Sequence, residues 1–332
     1  MTPQRLSQKV QIGLDLSVTE SQSCLEAMLS GAWSTLETVT FLDALRTKGE
    51  SVSEIVGFAQ GLQRHMIPVT EVTAIDLCGT GGGPAGRYNV STASAFVLAT
   101  AGVQVAKHGN RGSRQPNGSF DFLEALGVPI LTDPAKLRAI FQKTGLCFLY
   151  ARAHHPAVAT VAEARKVLGG RSIFNLIGPL CNPSNPNRQI IGVSDSVLGP
   201  KIAQAAQALG KEHVIVVSGD HGYDEITPFG HNQTWDMRVN AAIIHDVYTP
   251  AQDMQCGPES LCMANLAQSV SETRAAFSGQ ATAISRYIAL NAGLGFYCAA
   301  HVETHTAGIA LAKTVLASGE VMSFLNQYQS LG

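Results

Sequence analysis

The stretch Asp76-Leu-Cys-Gly-Thr-Gly-Gly-Gly83 holds four glycines in five residues, at Gly79, Gly81, Gly82 and Gly83. It follows an apolar run that reads as a strand, and Asn89-Val90-Ser91-Thr92 after it opens a helical run. Glycine lets the backbone take positive φ and approach a ligand closely, and free N–H groups ahead of a helix attract an anion. A single glycine pair would be an ordinary tight turn. Four glycines followed by Asn89, Ser91 and Thr92 predict phosphate binding. Gly81, Gly83 and Gly86 also spell GxGxxG, but a dinucleotide site wants an acidic residue closing the second strand about 20 residues later. Here that strand closes on Lys107-His108-Gly109-Asn110-Arg111. A cationic turn leaves NADP open, yet two glycine-containing loops facing each other, one of them basic, suit a larger polyphosphate better.

Other reactive side chains are less telling alone. Arg165 follows Glu163 on a helical run and reads as a solvated face, and Asp224-Glu225 reads as an acidic turn. His154-His155 ahead of Pro156 fits substrate contact or a loop and capping role equally. His301-Val-Glu-Thr-His305 resembles a zinc helix, but its glutamate is misplaced for HExxH, so no metal is expected there. The seven cysteines form no CxxC pair, and an odd count reads as reduced thiols in the cytoplasm.

The elements that must position these groups fall into two parts. Ser17 with Glu20, Ser34 with Glu37, and Ser51 with Glu54 have the spacing of capping boxes. Gly31, Gly49 and Pro68 supply the stops. Three short antiparallel helices are therefore predicted before residue 66, with Leu36, Phe41, Leu42 and Leu45 as an apolar stripe. Strands are predicted at Val72–Leu77, Val103–Ala106, Cys147–Tyr150, Gln189–Val193 and Val214–Ser218. Helices over Thr92–Ala101, Phe120–Leu126, Ala135–Lys143 and Ile202–Leu209 separate them. That alternation predicts an α/β fold, a mostly parallel sheet flanked by helices, and long helices from about Ala275 onward. The expected division is a helical domain over residues 1–70, joined by part of 160–185, and an α/β domain over 71–332.

Composition narrows the classes further. The chain has 332 residues, 45% apolar and 14% charged, with net charge -2. That excludes a disordered chain, and without a basic excess nucleic-acid binding is not expected. The low charged fraction points to surface hidden in a subunit interface. The apolar run Tyr287–Val302 is only 16 residues and is interrupted by Asn291, so a buried core helix is expected rather than a membrane span.

The ordered motifs GTGG, NVST, KHGNR and GSFDFLEALGV, then ARAHHPA, ARKVLGGRSIFNLIGPLCNP, RQIIGV and GYDEIT, resemble the anthranilate phosphoribosyltransferase family over nearly the whole chain. The resemblance implies a small helical domain over a large α/β domain with the active site in the cleft. It implies transfer of the phosphoribosyl group of 5-phosphoribosyl 1-pyrophosphate to anthranilate in tryptophan biosynthesis, with Mg²⁺, as a homodimer. Carried over by position, Gly79, Gly82, Asn89, Ser91, Thr92, Lys107 and Ser119 would bind the donor. Gly79, Asn110 and Arg165 would bind the acceptor, and Ser91, Asp224 and Glu225 would hold the metal. No general base is assigned.

Three stretches depart from the family's pattern. Gly83 stands where an aspartate is usual, Arg114-Gln115 where a serine pair is usual, and Arg87-Tyr88 is bulkier and more basic than usual. All make the donor pocket more positive. A paralogous transferase with another aromatic acceptor, or a non-catalytic ligand or nucleic-acid binder on the same fold, is the alternative that the site must decide.

Overall fold

The structure, a computed structural model, describes residues 3–69, 73–112 and 116–331. Among the described residues four helices precede the first strand: α1 (Pro3–Gln11), α2 (Val18–Leu29), α3 (Thr35–Lys48) and α4 (Val52–Arg64). All three capping boxes form, each serine side chain accepting from the backbone of its glutamate and each glutamate reaching back. The helix α1 lies outside the three expected, because no box marks its start. Phe41, Leu42 and Leu45 are buried, whereas Leu36 is 74% exposed, which corrects its place in the apolar stripe. It sits in the first turn of α3, ahead of the residues that face the core.

Glu54 shows how the bundle is held. It is fully buried, and its carboxylate accepts from Leu16 N at 3.0 Å, Ser51 N at 2.7 Å and Lys48 Nζ at 2.9 Å. Removing this carboxylate leaves the buried N–H groups of Leu16 and Ser51 unpaired and strips Lys48 of one of its two partners, the other being Asp15, at a combined cost of about 3–5 kcal/mol. Glu54→Ala should therefore lose that much stability in urea, against about 1 kcal/mol for the exposed cap variant Ser34→Ala. Equal losses would contradict the assignment.

The α/β part runs β1 (Ile75–Gly79), α5 (Val90–Thr100), β2 (Val105–Gly109), α6 (Ser119–Ala125), α7 (Pro134–Thr144) and β3 (Leu146–Tyr150). Short helices α8 (Ala151–His154), α9 (Ala162–Leu168) and α10 (Ile173–Ile177) follow, then β4 (Arg188–Gly192), α11 (Gly199–Ala208) and β5 (His213–Ser218). The chain continues through β6 (Asn232–Arg238), β7 (Ile244–Tyr248), α12 (Leu266–Phe277), α13 (Ala283–Cys298), α14 (His305–Ala317) and α15 (Glu320–Gln329). Local chemistry sets the ends. Asp133 caps α7, with Pro134 in its first turn and the left-handed Gly145 closing it.

The sheet order is β3-β2-β1-β4-β5-β6-β7. Every pairing from β3 to β5 is parallel, and β6 and β7 are antiparallel. All five expected strands form, each shifted by a residue or more, and the expected start at Val72 lies outside the described residues. The pair β6–β7 is an addition: β6 is largely polar, and β7, exposed on both faces, interleaves Ile244 and Val247 with His245 and Asp246, so no apolar run announces it. Alternate residues feed two cores. Ile190, Ile215 and Val217 pack with α5 and α13, while Ile191, Val214 and Val216 pack with the opening bundle and α11. The helix α13 is buried along nearly its whole length, so the expected buried helix forms over Tyr287–Cys298, while Ala299–Val302 lie past its end, with Ala300 and His301 exposed. Among the described residues no single helix is long and apolar enough to cross a membrane.

Candidate active site

The strand order reverses between β1 and β4, so the chain leaves the carboxyl ends of these neighbours in opposite directions. A crevice opens at such a point, and ligands bind there. A cleft of about 650 Å³ lies there, lined by the ends of β1, β2 and β4, the loop after β5, and residues of the helical part such as Leu62 and Phe174. The glycine turn after β1 forms one wall. Gly81 and Gly82 hold φ at 76° and 90°, open only to residues without a Cβ penalty. A Cβ on Gly79 would collide with the Asp224 carboxylate, so that glycine is what lets Asp224 reach the turn.

Most of the expected donor positions line this cleft: Gly79, Asn89, Ser91, Lys107 and Ser119. Asn89 and Ser91 stand at the start of α5, where N–H groups and the helix dipole favour an anion. Lys107 is buried and donates to the Leu77 carbonyl at 2.6 Å. Ser119 donates to the Asn110 carbonyl at 3.1 Å, tying the end of β2 to α6. Two positions are placed differently. Thr92 is fully buried behind this wall, and Gly82 turns toward Ser194 rather than into the cleft. The loop from β2 is braced by Asp121, which accepts from Gly112 N and Gly118 N at 2.7 and 2.9 Å and pairs with Arg111. Arg114-Gln115 lie outside the described residues.

The acceptor positions Asn110 and Arg165 line the same cleft with Gly79. Arg165 lies 5.3 Å over the Phe174 ring. Among the described residues no carboxylate pairs with it, and burial holds its pKa below the ordinary arginine value. A half-buried cation without a counter-charge, flanked by an aromatic ring, is matched to an aromatic carboxylate.

Asp224 and Glu225 are buried in the cleft lining, Asp224 against the glycine turn. Asp224 accepts from Gly81 N at 3.2 Å and pairs with Arg87. Glu225 accepts from the Tyr287 hydroxyl, and burial pushes its pKa up. One turn along α13, Asn291 accepts from Ile226 N at 3.0 Å and donates to its carbonyl at 2.8 Å. The buried helix thus holds the acidic pair from behind. Sequence reasoning saw Asn291 only as a break in an apolar run, and that polar interruption was the signal.

His154 and His155 serve the scaffold, bonding the Ile67 carbonyl at 3.1 Å and the Cys181 carbonyl at 2.8 Å. His155 also lines the cleft, where burial lowers its pKa to about 4. His108 packs against it with ring centroids 5.4 Å apart, its pKa well below the usual value for the same reason. Both are neutral at physiological pH, so the cleft draws its positive charge from lysine and arginine. His305 bonds the Leu290 carbonyl, and no metal-binding group of three or more His, Cys, Asp or Glu exists among the described residues.

The chain is similar to known proteins over nearly its whole length. Residues 71–322 match the glycosyl transferase family a/b domain, and residues 4–66 its helical bundle domain. The anthranilate phosphoribosyltransferase of Methanosarcina mazei is 39% identical over 97% of this chain and 88% of its own length. That of Halalkalibacterium halodurans is 34% identical over 93% and 92%. Among solved structures, the Thermus thermophilus enzyme of the same name superposes with a TM-score of 0.91 at 33% identity, covering 98% of both chains. The Saccharomyces cerevisiae enzyme in complex with phosphoribosyl pyrophosphate and Mg shares the fold, with a TM-score of 0.87 at 23% identity over 99% and 97%. By its two domains and its full-length relatives, this chain belongs to the anthranilate phosphoribosyltransferase family.

Proposed function

We propose that the chain transfers the phosphoribosyl group of 5-phosphoribosyl 1-pyrophosphate to the amine of anthranilate, as a step of tryptophan biosynthesis. The observation that carries this reading is one cleft joining a glycine turn and helix N-terminus with an Arg165 that has no carboxylate partner among the described residues, and with a buried acidic pair. The amine nitrogen bonds to C1 of the ribose, the C1–oxygen bond to pyrophosphate breaks, and the electron pair leaves with pyrophosphate. One amine proton goes to solvent. An aromatic amine is neutral and nucleophilic near pH 7, so no side chain is required as a strong general base. Catalysis rests on orientation and on stabilising the departing charge.

In this reading Gly79, Asn89, Ser91, Lys107 and Ser119 bind the donor beside the backbone of the glycine turn, with Gly82 and Thr92 shaping that wall from outside the cleft. Arg165 takes the acceptor carboxylate, with Asn110 and Gly79 beside the ring. Ser91, Asp224 and Glu225 would hold Mg²⁺. Their donor set fits, because Mg²⁺ takes oxygen ligands and usually one or two carboxylates beside substrate phosphates. A cation, the Arg87 guanidinium, already stands against Asp224. Bound Mg²⁺ would supply neutralisation of the leaving pyrophosphate.

The domain boundary falls near residue 70, with residues 160–185 partly in the helical domain, since Val161, Ile173, Phe174 and Leu180 pack among its helices. The chain acts as a homodimer. Ile12, Leu36 and Val167 leave large apolar surface exposed on and beside the adjoining α1, α3 and α9, and equilibrium sedimentation should return twice the chain mass, a single mass contradicting it. The seven free cysteines agree with the reducing cytoplasm. The acceptor is tested by comparing anthranilate with aniline, which lacks the carboxylate. Anthranilate should be used at least about tenfold better in kcat/KM, and equal use would favour a different aromatic acceptor.

A further inference from the structure

Arg87 does something that none of the expected site positions includes. Its guanidinium lies in the donor half of the cleft, bonding Asp224 Oδ1 through one terminal nitrogen and approaching Oδ2 at 3.4 Å through the other. The Asp224 side chain is 2% exposed and that of Arg87 23%. The backbone around it is fixed: Asn117 donates to the Arg87 carbonyl at 3.1 Å, and Met263 N donates to the Gly86 carbonyl at 2.7 Å. Tyr88, its neighbour, turns into the core and bonds Thr273. A fixed backbone thus aims one long cationic side chain into the cleft.

Gly83 makes the room. A Cβ there would collide with the Arg87 guanidinium and come within 3.0 Å of Asp224 Oδ1. Gly83 does not have positive φ, so its lack of a side chain serves space rather than backbone conformation. The two departures from the family pattern, a glycine for a carboxylate and an arginine four residues on, are therefore halves of one arrangement.

We propose that Arg87 is a donor-binding residue that also guards Asp224. Without donor it satisfies the buried carboxylate. When the donor arrives with its divalent cation, that cation takes Asp224 and the guanidinium turns to the diphosphate, for which its planar fork is suited. This rests on the phosphoribosyl-transfer reading for the identity of the donor, and on the geometry alone for the competition at Asp224. The arrangement makes metal and donor binding strongly linked, because free metal must displace Arg87 while metal with donor gives it a new partner.

The test uses Mn²⁺ as a spin probe and calorimetry for the anions. Without donor, Arg87→Gln should bind Mn²⁺ roughly tenfold more tightly than the native chain, and Gly83→Ala should shift the same way because its methyl takes the guanidinium's place. With Mg²⁺ present, Arg87→Gln should bind both 5-phosphoribosyl 1-pyrophosphate and inorganic pyrophosphate roughly tenfold more weakly. A merely structural arginine would weaken metal and anion together, so gain of one with loss of the other is the signature. Unchanged or weaker Mn²⁺ binding in both variants overturns the guarding role, and unchanged anion binding in Arg87→Gln overturns the donor contact. A native chain that binds pyrophosphate through Arg87 but not the phosphoribosyl donor contradicts the transferase reading instead.

Discussion

Asp224→Ala combined with Glu225→Ala is expected to abolish Mg²⁺-dependent turnover while the chain stays folded. Both carboxylates face the cleft from the loop after β5 and neither fills an apolar core. Their removal strips the proposed metal site of its only carboxylates among the cleft-lining residues. Losing one preorganised electrostatic group costs about 10²–10³ in kcat, and two acting on the same departing charge should cost at least about 10³. The scaffold should survive, since Asn291 holds this loop through the backbone of Ile226. Circular dichroism and thermal melting check the fold, and steady-state rates at limiting Mg²⁺ check the chemistry. Near-native turnover in the folded double variant would remove both residues from the mechanism.

Arg165→Ala is expected to raise KM for the acceptor while leaving KM for the donor nearly unchanged. Its guanidinium has no carboxylate partner among the described residues and lies against Phe174, so the interaction lost is with the ligand rather than with the protein. A charge-assisted hydrogen bond in a partly buried site is worth about 1.5–3 kcal/mol, or roughly 10- to 100-fold in KM. Arg165→Lys should recover only part of this, because an ammonium cannot make the paired contact of a planar fork. An equal effect on both substrates would make Arg165 a structural residue.

Much of this arrangement could be read before the structure, and the misses have physical causes. Capping boxes were legible because they are local, so Ser17, Ser34 and Ser51 marked three helices correctly. Parallel strands such as His213–Ser218 were legible because both faces are buried, which leaves a continuous apolar run. The strand β6 and the edge strand β7 were not, since β6 is largely polar and β7 is exposed on both faces. Leu36 deceived because its hydrophobicity says it will be hidden, not by which surface. In the site, the glycine turn and the KHGNR loop announced themselves through composition. Arg87 was visible as an oddity of type, but its contact with Asp224 spans 137 residues of chain, and no local spacing encodes that. The same holds for Tyr287 behind Glu225.

The most direct measurement is the fluorescence of anthranilate mixed with 5-phosphoribosyl 1-pyrophosphate, Mg²⁺ and the native chain. The account predicts that fluorescence falls only when all are present, that one pyrophosphate appears for each anthranilate consumed, and that chelating Mg²⁺ stops the reaction. Steady fluorescence with a folded chain that binds both ligands would contradict the account, leaving a binding protein on a transferase fold.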